Sequence, residues 1–158
     1  MILYHGSNVD IESIDLSRSS VGKDFGCGFY LTASKEQAER MGHRKARLYG
    51  GEMVISSFEF DEKAAREAGM NIKDYKSYSR EWADFILANR KNGTRTQIHN
   101  FDIVRGPVAN DDVGYQIRRL LAGMITIEIF LEELKFKEGI TYQYFFATER
   151  SVQFLKKL

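Results

Sequence analysis

One cysteine and one proline are all that 158 residues hold of either type. A lone thiol, Cys27, closes no internal disulfide and brings no metal-ligand set with it. A reducing cytoplasm is therefore the expected setting, and no metal is expected. No apolar run approaches the roughly 20 residues that cross a bilayer. The opening "MILYH" lacks the basic-then-apolar pattern of a signal peptide. Excess charge is missing too, with 23 Lys plus Arg against 22 Asp plus Glu. That balance excludes a global field for nucleic acid or an anionic membrane and leaves only a local patch open. What is present is an apolar share of 43% and an aromatic share of 13%, which argue against disorder. The length suits one domain, residues 1–158, around a single sizeable core. No repeat, low-complexity tract or linker divides it.

"MILYHGS" reads as a buried strand ending in a polar turn, and "GFYLT" (28–32) as a second strand. Ser34 opens a helix with Gln37 three positions on, a capping-box spacing, and Gly50-Gly51 ends it. Alternation of Val54, Phe58 and Phe60 predicts a strand over 53–60. Residues 61–90 are expected to be mostly helical, with Trp82, Phe85 and Ile86 on a buried stripe. "NFDIVRGPVAND" (100–111) reads as a strand closed by Gly106-Pro107. Helices are expected over 112–122 and 126–136, and a strand over 140–148. Thr148 is placed to cap a last helix reaching Leu158. Strands and helices interleave without regular βαβ spacing, so the expected class is α+β.

The stretch "DFGCGFYLTASKEQAERMG" (24–42) holds three glycines, Gly26 and Gly28 before a capped helix and Gly42 within it. Glycines beside a strand mark tight turns or close approach to a ligand. Taken singly, His5 reads as a strand-end histidine, Tyr30 as core and Gln143 as a surface or edge residue. His43 and His99 read as ordinary surface or helix residues, Cys27 as packing. The basic run "RMGHRKAR" (40–47) reads as a solvated helix face or a contact for substrate phosphate or nucleic acid.

In order, "ILYHGS", "DFGCGFYLT" with its following "QA", "FDIVRGPVAND" and the "TYQYFFATE" strand resemble a family of small bacterial proteins. Those proteins, long labelled a domain of unknown function, are regarded as ADP-ribosyltransferase-like and are often encoded beside a short partner. The set also resembles the His-Tyr-Glu signature of diphtheria-toxin-like and poly-ADP-ribose-polymerase-like transferases, with glutamine third. The resemblance spans residues 2 to about 155. It implies two small, mostly antiparallel sheets forming an NAD cleft, with helical insertions. It implies a toxin or signalling modifier that transfers ADP-ribose from NAD, its co-substrate, to an unidentified protein or nucleic-acid acceptor. A small partner or antitoxin would restrain it.

That family's chemistry breaks the nicotinamide–ribose bond through an oxocarbenium-like state. By resemblance, His5, Tyr30 and Gln143 are the catalytic set. Cofactor contacts would come from His5, Gly6, Ser7, Arg18, Gly28, Phe29 and Tyr30. His5 would bond a ribose hydroxyl, the Gly6 backbone would pair with the ring amide, Tyr30 would stack on nicotinamide, and Arg18 would meet phosphate. Gln143 is an amide where a carboxylate is usual, and charge-assisted hydrogen bonds are about twice as strong as neutral ones. Slow turnover, a nucleophile needing no base, or help from Asp111, Asp112 or Glu149 would each fit. A non-catalytic NAD or ADP-ribose module and an NAD glycohydrolase are the competing readings.

Overall fold

The computed structural model describes residues 1–135 and 137–158, and of Asp111 the backbone alone. Strand β1 spans Ile2–Ser7, β2 Phe29–Thr32 and β3 Val54–Phe60, with helix α1 (Lys35–Tyr49) between the last two. Helix α2 (Glu62–Glu67), strand β4 (Ile72–Asp74), helix α3 (Arg80–Lys91) and strand β5 (Ile103–Pro107) follow. The chain ends with α4 (Asp111–Leu121), α5 (Ile127–Leu134), β6 (Tyr142–Phe146), α6 (Glu149–Val152) and β7 (Leu155–Lys157). Side-chain oxygens satisfy the first amides of the helices. Ser34 accepts from the Gln37 amide, Ser79 from Trp82, Asn110 from Val113 and Thr126 from Ile129. Ser34 lacks the reciprocal half of a capping box, because the Gln37 side chain accepts from the Thr32 hydroxyl instead, at 2.7 Å. Gly50, at φ 82, ends α1 in the left-handed region that glycine tolerates.

The strands form one seven-stranded sheet in the order β4-β5-β6-β2-β1-β3-β7. All neighbours are antiparallel except β4 and β5. The expectation of two small sheets is corrected on this point, since β2 bonds both to β6 and to β1. The two bonds differ greatly in extent. Four registered pairs join β2 to β6 and six join β1 to β3, while β1 meets β2 at the single pair Tyr4–Thr32.

Side chains alternate between the two faces of the sheet. Val104 and Phe145 enter one core with Phe25, Trp82, Ile86 and Phe130. Ile103, Tyr144 and Phe146 enter the other with Leu3, Leu31, Phe58 and Phe60. Burial on both sides explains why "YFF" and "IV" read as unbroken apolar runs. Each buried phenylalanine contributes on the order of 2 kcal/mol.

Residues 61–90 are mostly helix, as expected, but the helix is interrupted: α2 stops before Gly69 (φ 75), and β4 pairs parallel to β5 before α3 begins. The Asn71 amide donates to the Asp102 carboxylate at 2.9 Å, and the Asp102 amide returns a bond to the Asn71 carbonyl at 2.8 Å. This pair starts the strand, and its partners lie 31 residues apart. One expectation about the end of the chain is corrected: the last helix does not reach Leu158. It ends at Val152, and β7 covers the outer edge of β3, with Leu155 opposite Phe60. Capping that edge removes a row of unpaired backbone groups.

Helix α1 lies on β1 so closely that a Cβ on Gly6 would stand 1.7 Å from the Ala38 carbonyl oxygen and 2.8 Å from the Gly42 nitrogen. Both neighbours are backbone and cannot turn aside. Gly6→Ala is expected to cost about 3 kcal/mol of stability in urea unfolding. The control Gly93→Ala, with nothing within 4 Å, should change it by less than about 0.5 kcal/mol.

Candidate functional site

His5 sits where β1 and β2 part. Its Nδ1 lies 2.8 Å from the Tyr30 carbonyl oxygen, so that nitrogen carries the proton and donates. The ring stacks on Phe29 at 4.8 Å between centroids. Its Nε2 is then a bare acceptor, and the Lys45 ammonium of α1 lies 3.4 Å from it. Burial first, and the Lys45 charge second, push His5 down to about 4, while the bond to Tyr30 opposes the shift. At neutral pH the imidazole is uncharged with a fixed tautomer. Burial also lowers Lys45, and the charge of Lys23 adds to the shift. Among the described residues no carboxylate pairs with Lys45 or Lys23.

Tyr30 does different work. Its hydroxyl accepts from the Phe25 amide at 3.0 Å and donates to the Gly26 carbonyl at 2.8 Å. Its ring lies 4.9 Å from Phe145 and 6.3 Å from Phe25. Burial drives the phenol far above its ordinary range, so it stays protonated. The hydroxyl thus clamps the glycine-rich loop, and other residues clamp it from the segment after α3. His99 Nε2 donates to the Phe25 carbonyl, Gln97 to the Cys27 carbonyl, and Arg95 to those of Leu16 and Ser19. The three glycines of 24–42 also leave room for the protein itself. A Cβ on Gly26 (φ 103) would meet the Gln97 side chain at 2.2 Å, and one on Gly28 would meet the Phe146 carbonyl oxygen at 2.4 Å. One on Gly42 would meet the Met53 side chain at 2.6 Å.

Gln143 lies on β6 opposite Thr32, two residues before Phe145, which stands opposite Tyr30. Gln143 and Tyr30 therefore share a face of the sheet. His5 neighbours Tyr4, the partner of Thr32, and so leaves from the other face. His5 reaches Tyr30 through its main chain, and Gln143 bonds neither of them. The Gln143 Nε2 donates to the Asp24 carboxylate at 3.2 Å, and the Arg90 Nε donates to the other oxygen of Asp24 at 2.6 Å. Asp24, at 14% side-chain exposure, is the residue that sequence reasoning missed. It opens the "DFGCGFYLT" block, but nothing in the sequence ties it to a strand 119 residues away.

A family model described as a protein of unknown function, DUF3990, matches residues 1–157. The chain belongs to the DUF3990 family. A comparison with curated proteins found no match.

Several other expected site residues of this DUF3990 chain are covered or remote. Gly6 lies under α1, and Ser7 beside it is 4% exposed. Arg18 is exposed on a single 3₁₀ turn, Leu16–Arg18, that Arg95 ties down. The Gly28 amide donates to the Ser19 hydroxyl at 2.9 Å, and Phe29 lies between His5 and Phe58. Glu149 is exposed beyond the far end of β6, whose end lies about 10 Å along the strand from Gln143. Asp112 is exposed and bonded to Lys137 at 2.8 Å, and the side chain of Asp111 lies outside the described residues. The Cys27 thiol donates to the Ser20 carbonyl at 3.5 Å. His43 is exposed as expected, whereas His99 is part-buried and structural.

The His5 shift sets a pH window for the DUF3990 fold. The unfolded imidazole takes a proton near 6.5 and the folded one only near 4. Between these values the unfolded state binds more protons, so stability falls as pH falls. The loss reaches up to about 3 kcal/mol at pH 4. His99, lowered by burial, adds a contribution of the same sign. Urea unfolding of His5→Gln across pH 7 to 4 should show much of this slope gone; an unchanged slope would place the His5 shift elsewhere.

Proposed function

We propose that this chain is an NAD-dependent ADP-ribosyltransferase acting in the cytoplasm, as a toxin or signalling modifier restrained by a small partner. The observation that carries the reading is the neutral His5 at the parting of β1 and β2, with its Nε2 lone pair turned toward Lys45, an ammonium that no described carboxylate pairs. A bare imidazole nitrogen accepts from a ribose hydroxyl. A half-buried ammonium without a carboxylate suits the phosphates of a dinucleotide. The glycine-block resemblance and the free Cys27, in keeping with a reducing compartment, support the same reading.

His5 and Gln143 leave opposite faces of the sheet. One ligand can touch both only at an edge or a gap, and the parting of β1 and β2 beside His5 is the place proposed for it. NAD is therefore proposed to enter there, with Lys45 turning from His5 to phosphate. The bond from the ribose anomeric carbon to nicotinamide nitrogen breaks, and its electron pair leaves with the ring, which becomes neutral. The acceptor's lone pair then forms the new bond to that carbon, and its proton goes to solvent. Neutral His5 and Gln143 orient the ribose without contributing charge, so the rate rests on positioning.

The carboxamide at 143 favours one alternative, a module that binds NAD or ADP-ribose without turnover. Water as acceptor would make the chain an NAD glycohydrolase. Incubation with NAD labelled in the adenosine part, with and without cell lysate, separates the three. Transfer is expected as label on a lysate component with equal nicotinamide release. Release without lysate indicates hydrolysis, and binding with no release indicates the module. Lys45→Ala is expected to weaken NAD binding about tenfold in calorimetry, the loss of one charge-assisted contact. His5→Ala should abolish turnover. Full turnover by both variants would contradict the site.

A further inference from the structure

A carboxylate can only accept hydrogen bonds. Because Asp24 Oδ2 stands 3.2 Å from the Gln143 amide, that amide must turn its nitrogen to Asp24 and its oxygen away. Asp24 cannot move off, since Arg90 grips its Oδ1 at 2.6 Å and the pair is largely buried, with 14% and 23% of the Asp24 and Arg90 side chains exposed. Tyr30, through Phe25 and Gly26, holds the loop that carries Asp24. The chain Arg90–Asp24–Gln143 therefore determines which end of the carboxamide is presented.

We propose that Asp24 is a positioning residue that holds the Gln143 nitrogen to itself and so turns Oε1 outward, offered to a ligand hydroxyl as one oxygen of a carboxylate would be. The inference rests on the NAD reading above for the ligand, though not for the amide's orientation. It carries an unexpected consequence. Installing a carboxylate at 143 should damage the site, because Gln143→Glu sets two acceptors against each other at about 3 Å. Asp24→Asn in the same protein restores a matched pair. The oxygen of the amide introduced at position 24 can accept from Arg90, and its nitrogen can donate to the carboxylate introduced at position 143.

The test is a four-protein cycle of wild type, D24N, Q143E and D24N/Q143E, read by thermal unfolding and by calorimetric titration with NAD. Q143E is expected to lose about 3 °C or more in Tm and at least about tenfold in NAD affinity. The double variant should recover most of the Tm loss and come within about threefold of wild-type affinity. D24N alone leaves the amide free to flip and should weaken binding several-fold. A merely structural contact would also regain Tm in the double variant, but it would not make NAD affinity fall in Q143E and return with the swap. The inference is overturned if Q143E unfolds and binds as wild type does, or if the double variant is no better than Q143E. If wild type binds no NAD, the functional reading fails. The Tm cycle then still decides the orientation, with rescue supporting it and no rescue overturning it.

Discussion

One bridge pair, Tyr4 against Thr32, joins the two halves of the sheet, and much of what is distinctive in this molecule follows from how little it joins. Past that bridge β1 and β2 diverge, and the main chain of β2 loses its ladder partner on that side. The Tyr30 carbonyl would be left without a donor, a cost of about 1–3 kcal/mol if buried. The imidazole of His5 supplies the missing donor. The same contact fixes the tautomer and strands the second nitrogen as an acceptor beside Lys45. The solution to a backbone problem thus creates the chemically distinctive group of the site.

The loop before β2 is the second constraint. It is rich in glycine, has little apolar surface of its own, and is held from outside by Tyr30, Arg90, Arg95, Gln97 and His99. Gly26 and Gly28 leave space for Gln97, Phe145 and the Phe146 carbonyl. Phe25 enters the larger core at 0% exposure. The loop is therefore part of the packed structure, and Asp24 at its start is carried to β6 with defined geometry.

Local patterns were legible in the sequence wherever a neighbour within four residues decides the structure. The Ser34 and Thr148 caps, the Gly50 stop and the alternation of Val54, Phe58 and Phe60 all emerged as expected. Elements decided by distant partners did not. β4 is three residues long and exists because β5 offers an edge, and β7 exists because β3 does. Leu155–Lys157 resembles a helix end as much as a strand. The sheet count failed for the same reason, since one bridge pair decides between two sheets and one, and no local signal marks it. Of the candidate site, His5, Tyr30 and Gln143 were nominated through resemblance to a family pattern. In the structure the Tyr30 hydroxyl holds a loop, and Asp24, Arg90 and Lys45 join the candidate site. Lys45 had stood inside a basic run that also reads as a solvated helix face.

The central claim is that His5 is neutral and protonated on Nδ1, with the Nε2 acceptor beside Lys45 as the proposed contact for NAD. Long-range proton–nitrogen correlation of the histidine rings at pH 7, with and without NAD, tests it most directly. A protonated Nδ1 and a bare Nε2 are expected, with only the Nε2 resonance moving strongly as NAD is added. A ring protonated on Nε2 or on both nitrogens, or an Nε2 signal unmoved at saturating NAD, would contradict it.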